Sequence, residues 1–194
     1  ACGRAAMEWV TRAGEMALSG VVEAMATAPL NKEAASLAGY TSIGHAELLH
    51  QLTGVKMVGT MLMAKNLRVV HLTTHRSLRL ACDYVKKDRI LEFLQLTHDS
   101  FVKWGVARPR IAAAALNPHG SDGGLMGNEE SEEIAPAVAE AQARGIDAVG
   151  PIPADIVYHQ AIQDRYDVVL AMFHDQGHIA VKVYGFEESI TANL

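Results

Sequence analysis

Cysteine is scarce in this chain of 194 residues, because Cys2 and Cys82 are its only two and cannot form a disulfide framework. Basic residues are also few: 17 Lys and Arg stand against 22 Asp and Glu, a formal charge of −5 without a basic cluster. This balance argues against nucleic acid as a partner. The longest apolar run, Ile111–Leu116, is far shorter than the roughly 20 residues of a membrane span. No signal-peptide pattern opens the chain, and we expect a cytoplasmic protein without a membrane partner.

Familiar nucleotide and catalytic motifs are missing too. The sequence contains no Gly-x-Gly-x-x-Gly, Walker motif, nucleophile elbow or Cys-x-x-Cys. What it does contain is the composition of a folded domain, 49% hydrophobic and 20% charged, which excludes a disordered chain. Ala1 follows no initiator Met, a helical pattern is already running at Ala5–Ser19, and Ile190–Leu194 ends without a polar tail. We therefore expect a piece of a longer chain.

Hydrophobic periodicity predicts helices that alternate with strands. The strands predicted at Arg110–Leu116 and Asp167–Met172 are buried runs without polar alternation, which is typical of a mostly parallel sheet with helices on both faces. The prediction is one α/β unit over residues 1–194. The predicted helices are Ala5–Ser19, Lys32–Leu37, His45–Leu52, Ser77–Tyr84, Asp88–Trp104, Glu129–Arg144 and Ala154–Gln163. Further predicted strands are Val21–Ala28, Lys56–Met63, Leu67–Thr73 and Ala180–Val183.

Three histidines each follow one of the predicted strands closely: His75, His119 and His174. Ligands of parallel α/β sheets bind outside the carboxyl ends of the strands. Three imidazoles at one edge suit a divalent metal that keeps positions open for substrate. The alternative is that each histidine caps a strand end or bonds a backbone carbonyl. Spacing alone leaves both interpretations open, and the spacing of His50, His71, His98, His159 and His178 predicts no site.

The segments next to these histidines offer further candidates. The glycine-rich loop Asn117–Asn128 predicts close backbone approach to a ligand or metal, and the carboxylates at Glu129–Glu133 favour a helix start over a phosphate cradle. Asp175 stands beside His174, where a carboxylate can orient a ligating imidazole, although Asp-Gln-Gly is also ordinary turn chemistry. Lys182 is predicted on a short strand, and Asp155 as the N-cap of a helix.

Four segments carry a resemblance to a known family. They are Leu116-Asn-Pro-His-Gly-Ser-Asp-Gly-Gly-Leu-Met-Gly-Asn-Glu-Glu130, Gly150-Pro-Ile-Pro-Ala-Asp155, Ala171-Met-Phe-His-Asp-Gln-Gly177 and Gly185-Phe186. Weaker matches, Ala28-Pro-Leu-Asn-Lys32, Gly44-His45 and Thr73-Thr-His75, stand in the same order. With these segments the chain resembles the 4-hydroxythreonine-4-phosphate dehydrogenase family over nearly its whole length. The resemblance implies an isocitrate/isopropylmalate-dehydrogenase-like fold.

The resemblance also implies a site and a reaction. A divalent metal (Zn, Mg, Co or Mn) is expected on His75, His119 and His174, with one of the three supplied by the other subunit of a homodimer. Substrate contacts are expected at His45, Ala46, Lys182 and Thr191, with Lys182 also a catalytic candidate, and no NAD-binding residue is assigned. The reaction is hydride transfer from a secondary alcohol to NAD or NADP, followed by decarboxylation.

Two positions depart from the family pattern, since Ala46 stands where Thr is usual and Thr191 where Asn is usual. The preferred substrate is 4-phosphohydroxy-L-threonine, in pyridoxal phosphate (pyridoxine) biosynthesis. These departures make threonate or erythronate 4-phosphate the alternative. Two further hypotheses are a catalytically silent fragment that keeps metal binding and dimerisation, and a metal-free domain whose histidines are strand-end caps.

Overall fold

A computed structural model describes residues 2–41 and 44–194, and the chain divides into two units, residues 1–58 and 59–194. The first unit contains helices α1 (Cys2–Leu18), α2 (Lys32–Leu37) and α3 (His45–Thr53). Its core is formed by Met7, Val10, Ala35 and Leu48. Asn31 caps α2 by accepting a hydrogen bond from the Ala34 amide at 2.9 Å. The regular secondary structure of this unit is therefore all α-helix in its described residues.

The second unit holds the sheet. Its strands are β1 (Thr60–Ala64), β2 (Leu67–His71), β3 (Ile111–Ala114), β4 (Ala148–Ile152), β5 (Val168–Ala171) and β6 (Ile190–Asn193). Its α-helices are α4 (Leu78–Asp83), α5 (Lys87–Lys103), α6 (Ala135–Ala143), α7 (Ala154–Ile162) and α8 (His174–Gly185). A 3₁₀ segment, Pro118–Gly123, and a π-helical turn, Glu130–Ile134, lie between β3 and α6.

The sheet is mixed and mostly parallel. Its strand order is β4-β3-β5-β2-β1-β6, in which the β4-β3, β3-β5 and β5-β2 pairs are parallel and the pairs made by β1 are antiparallel. Every residue of β3 and β5 is buried. Because successive side chains of a strand point to opposite faces, both faces of the sheet are covered here. The predicted α/β class is confirmed.

Several predicted elements are wrong. Val21–Ala28 forms no strand, since none of the described strands pairs with it and most of its side chains are exposed. Ala180–Val183 lies inside α8, where Val181 is buried and Lys182 and Val183 are exposed, as on a helix surface. Asp155 is the second residue of α7 and Pro153 holds the cap position. The sequence also missed β4 and β6.

The division into two units bears on the domain prediction. The sheet lies wholly in residues 59–194, and residues 1–58 form their own core. That residues 1–194 are one portion of a longer two-domain chain stays a prediction. Within the described ranges, no helix has the length and apolar character needed to cross a bilayer.

An ion pair joins the beginnings of β3 and β5. Arg110 donates from Nε and Nη2 to the two carboxylate oxygens of Asp167, at 3.0 and 2.9 Å, and its backbone amide donates to the same carboxylate at 2.8 Å. These hydrogen bonds from Arg110 lower the pKa of Asp167. A lowered folded pKa gives stability that is present above the unfolded pKa, about 4, and that is lost as the pH falls through the folded value.

Arg110→Met is therefore expected to lower the free energy of unfolding at pH 7 by about 1 kcal/mol or less, because solvent screens this partly exposed pair. Urea unfolding of both proteins from pH 7 down to acid would measure the difference, which should vanish once Asp167 is protonated. A difference that stays constant with pH would mean that Arg110 acts through packing alone.

Candidate active site

Side-chain hydrogen bonds tie the carboxyl ends of three neighbouring strands together. Gln176 accepts a hydrogen bond from the Met172 amide and donates to the Ala115 carbonyl, both at 2.7 Å, so it connects the ends of β5 and β3. Thr73, beyond the end of β2, donates from Oγ1 to the Met172 carbonyl at 3.0 Å. The segments that follow β2, β3 and β5 are thus fixed relative to one another.

Two of the three predicted metal ligands meet at this edge. The rings of His75 and His174 lie 5.5 Å apart between centroids. Nδ1 of His174 is 2.7 Å from a carboxylate oxygen of Asp175, which leaves Nε2 of His174 available to a ligand. Both rings line a cleft of about 370 Å³, which we call the histidine cleft, together with Thr74, Arg76, Ser77, Leu78, Ala81, Phe173 and Asp175.

The third predicted ligand, His119, lines a neighbouring cleft that shares Phe173 with the first. Its Nδ1 is 3.2 Å from a carboxylate oxygen of Asp122, an arrangement that again leaves Nε2 available. The three imidazoles do not form a ligand set in one chain, since no three His, Cys, Asp or Glu side chains of residues 2–41 and 44–194 are grouped to hold a metal ion. The three-histidine site stays a prediction.

His119 sits on an unusual turn. Residues 119–122 all have left-handed backbone angles, with φ of 53°, 67°, 74° and 45°. Only Gly120 adopts such angles without steric cost, so the turn needs support from its surroundings. Ser121 supplies part of this support, because its side chain is buried and its hydroxyl donates to the Gly127 carbonyl.

Glu130 anchors the beginning of the same loop. Its Oε1 accepts hydrogen bonds from the backbone amides of Leu116 and Asn117, at 2.8 and 2.7 Å, and its Oε2 accepts one from the Asn117 side chain at 2.9 Å. Glu130 is only 4% exposed. Its carboxylate thus satisfies amides that follow β3, a role beyond the helix-start function that its position predicted.

Sequence reasoning missed two histidines beside the predicted ligands. Nδ1 of His178 lies 3.0 Å from Nε2 of His71, and the His178 ring stacks on His174 with centroids 3.7 Å apart. Burial, with a smaller effect of His178, lowers the pKa of His71 to about 3. Burial and then the charge of His174 lower the pKa of His178. Both rings are therefore neutral at pH 7.

Gly177 was the available signal for this contact. A Cβ atom at residue 177 would stand 2.4 Å from Nε2 of His71 and 2.7 Å from a methyl of Val69, so only glycine lets α8 approach β2 here. The motif His-Asp-Gln-Gly therefore contains a packing requirement as well as a candidate ligand.

The predicted substrate contacts of the second unit lie on α8 and β6. Lys182 is exposed on α8, not on a strand as predicted, and its Nζ is 5.7 Å from the centre of the Phe186 ring. It lines a third cleft of about 360 Å³, the lysine cleft, whose other residues are His174, Asp175, His178, Ile179, Val183 and Phe186. Thr191 is exposed on β6 and pairs with Leu62 of β1.

The remaining predicted contacts belong to the first unit. His45 is the first residue of α3, and its Nε2 is buried without a hydrogen-bond partner in the described part of the chain. Ala46 follows it and is exposed. Ser42 and Ile43, which precede them, lie outside the described residues.

Comparison with known proteins identifies the family. The family model described as "Pyridoxal phosphate biosynthetic protein PdxA" matches residues 1–194. The chain belongs to the PdxA family. The predicted resemblance is thereby confirmed, and with it the mostly parallel α/β fold that PdxA dehydrogenases share.

Two names recur among relatives of this PdxA-family chain. It is 47% identical over 193 residues to a protein of Fusobacterium nucleatum named "Putative D-threonate 4-phosphate dehydrogenase", and 46% identical over 194 residues to one of the same name from Symbiobacterium thermophilum. These matches cover 100% and 99% of this chain but 58% of each relative. A crystal structure of 4-hydroxythreonine-4-phosphate dehydrogenase from Klebsiella pneumoniae is 45% identical with a TM-score of 0.91, and the match covers 98% of this chain and 59% of that one.

Proposed function

We propose that this chain is the metal-bearing, dimer-forming part of an NAD(P)-dependent dehydrogenase that oxidises the secondary alcohol of a 4-phosphorylated hydroxy acid, with decarboxylation. The observation that carries the proposal is the meeting of His75 and His174 at the carboxyl edge of the sheet, with Lys182 on the same helix as His174. The family membership and the dehydrogenase names of the relatives support it.

D-Threonate 4-phosphate is the first substrate candidate. The curated relatives at 46–47% identity carry the threonate name, and Ala46 and Thr191 replace the residues usual at two substrate positions of hydroxythreonine enzymes. The second candidate is 4-phosphohydroxy-L-threonine, which the name of the solved structure at 45% identity supports. Both acids present a phosphate, a carboxylate and a C3 hydroxyl, so the same site chemistry serves either.

The donor set fits a divalent cation. His75, His119 and His174 would hold it, and a second copy of the chain would supply one of the three in a homodimer, since one chain does not gather them. Asp122 and Asp175 each engage the Nδ1 of a histidine, which fixes the ring and directs Nε2 to the ligand. When bound, such a cation supplies Lewis-acid chemistry, lowering the pKa of the alcohol and stabilising the charge that decarboxylation leaves behind.

The chain's own residues supply binding and charge. The Lys182 ammonium lies on the rim of the lysine cleft, where it can attract the phosphate or the carboxylate of the substrate as a compact positive charge. His45, the first residue of α3, is a further substrate-contact candidate on the family resemblance. Phe173 lines the clefts of both His75 and His119, which places an apolar ring between these two candidate ligands.

Removing the metal tests the proposal directly. The full-length protein is expected to reduce NAD or NADP with D-threonate 4-phosphate or 4-phosphohydroxy-L-threonine, and complete removal of metal by a chelator should abolish the absorbance change at the nicotinamide band. Readdition of Zn, Co, Mn or Mg in turn should restore it and identify the metal. Metal binding without turnover of either acid would indicate the catalytically silent alternative. Undiminished turnover after metal removal would contradict the mechanism.

A further inference from the structure

A hydrogen-bonded pair of histidines leads from the sheet to the lysine cleft. His71 lies in β2, is 1% exposed, and places its Nδ1 3.3 Å from the Thr60 carbonyl of β1. On its other side, Nε2 of His71 lies 3.0 Å from Nδ1 of His178 in α8. Neither histidine belongs to the predicted metal ligands or to the predicted substrate contacts.

The partners of His71 determine where its proton lies. A backbone carbonyl only accepts hydrogen bonds, so Nδ1 of His71 must carry the hydrogen. A neutral imidazole has a single N–H, and Nε2 of His71 is therefore an acceptor. The close approach of Gly177 to this nitrogen holds the ring in place, because no larger residue fits there.

The partners of His178 extend this assignment to its own ring. Its Nδ1 faces the acceptor nitrogen of His71 and also lies 3.2 Å from the His174 carbonyl. Two acceptors around one nitrogen require that this nitrogen donates. The hydrogen of His178 is thus on Nδ1, and the lone pair is on Nε2, which lies on the other side of the ring.

The lone pair on Nε2 belongs to a side chain that lines the lysine cleft. His178 is half-buried and lines the lysine cleft with Lys182, one helical turn further along α8. Nε2 of His178 has no hydrogen-bond partner in the described ranges, and it is not sealed from solvent. The cleft therefore combines a fixed acceptor with the ammonium group of a residue one helical turn further along α8.

We propose that His178 is a further substrate-binding residue, whose Nε2 accepts a hydrogen bond from the substituent at C2 of the substrate, and that His71 is the positioning residue that fixes its tautomer. This inference rests on the proposed function. In either candidate acid the C3 hydroxyl is the group to be oxidised, so the donor left for His178 is the C2 hydroxyl of threonate 4-phosphate or the C2 ammonium of the amino acid. Lys182 takes an anionic group of the same molecule.

The test combines a spectroscopic and a kinetic measurement on the full-length protein. Nitrogen-15 NMR of the imidazoles should show His178 in the Nδ1–H form, and His71→Phe should give a mixture of tautomers, while His71→Gln, which keeps a carbonyl acceptor, should restore part of the Nδ1–H form. His178→Phe is expected to raise KM for D-threonate 4-phosphate about tenfold, the value of one hydrogen bond, with a smaller change in kcat.

A substrate analogue without the C2 hydroxyl, 3-hydroxy-4-phosphobutyrate, provides the matched control. For this analogue His178→Phe should leave KM nearly unchanged, because the donor is missing. An equal rise of KM for both compounds, or a His178 found in the Nε2–H form, would overturn the assignment while leaving the proposed function standing. If the unmodified protein oxidises neither acid, the proposed function fails, and the substrate role of His178 fails with it.

Discussion

His119→Ala in the full-length protein is expected to remove nearly all bound divalent metal and to lower the rate of NAD(P) reduction by more than about 100-fold. Removing a carboxylate that hydrogen-bonds to a metal-bound histidine lowers metal affinity or activity about 10- to 100-fold. Removing the histidine ligand itself lowers them further. The fold should remain, because the His119 side chain is 68% exposed and, among the residues that the structure describes, hydrogen-bonds only to the exposed Asp122. Elemental analysis of the purified protein measures the bound metal, and thermal unfolding measures whether the fold is kept.

Two further variants complete this experiment. Asp122→Ala removes the carboxylate next to His119 and should weaken metal binding by about tenfold, less than loss of the imidazole. His159→Ala removes an exposed histidine inside α7 that, unlike the predicted ligands, does not closely follow the end of a strand. This variant should change neither metal content nor turnover. Unchanged metal content in His119→Ala would take this residue out of the site and favour the interpretation of the histidines as strand-end caps.

The apolar strands made most of the fold predictable. A run such as Val168–Ala171 has no polar face, and a strand of that kind is stable only when helices cover both sides of its sheet. From this the α/β class and the edge on which ligands bind follow together. The same reasoning failed for Ala180–Val183, since a run of four residues fits a strand and one turn of an amphipathic helix equally well.

The contact of His71 with His178 could not be predicted from one sequence. The two residues are 107 positions apart, and they meet because α8 packs against β2 at Gly177. Local spacing contains no information about such a contact. The glycine of His-Asp-Gln-Gly could have indicated a close approach, but only the packed structure shows that its neighbour is an imidazole.

The segment Asn117–Asn128 was correctly predicted as a loop, but the hydrogen bonds of Ser121 and Glu130 that support it were not predicted. Its glycines signal unusual backbone angles, yet the sequence does not reveal that His119 and Asp122 share them. Glu130 stood among several acidic residues at a helix start, and nothing in its spacing distinguished it from Glu132. Burial separates the two, because Glu130 is enclosed and Glu132 is exposed.

Glu130→Ala is accordingly expected to lower the free energy of unfolding of the sheet-containing unit by about 3 kcal/mol. The variant leaves the backbone amides of Leu116 and Asn117 without their acceptor, and the Asn117 side chain keeps only its hydrogen bond to Glu129. Each hydrogen bond to a charged group contributes about 1.5–3 kcal/mol. Glu130→Gln keeps one oxygen for the two backbone amides and should lose less, about 1 kcal/mol. Urea unfolding measures these differences.

The variant also tests the link between loop support and metal binding. The anchored amides lie two and three residues before His119, so release of the loop start should let the left-handed turn relax and weaken metal affinity by about 10- to 100-fold. Glu132→Ala is the matched control, because it removes an exposed carboxylate of the same π-helical turn and should change stability by less than about 0.5 kcal/mol. Full metal affinity in a destabilised Glu130→Ala protein would separate the two effects and show that the turn holds its shape without this carboxylate.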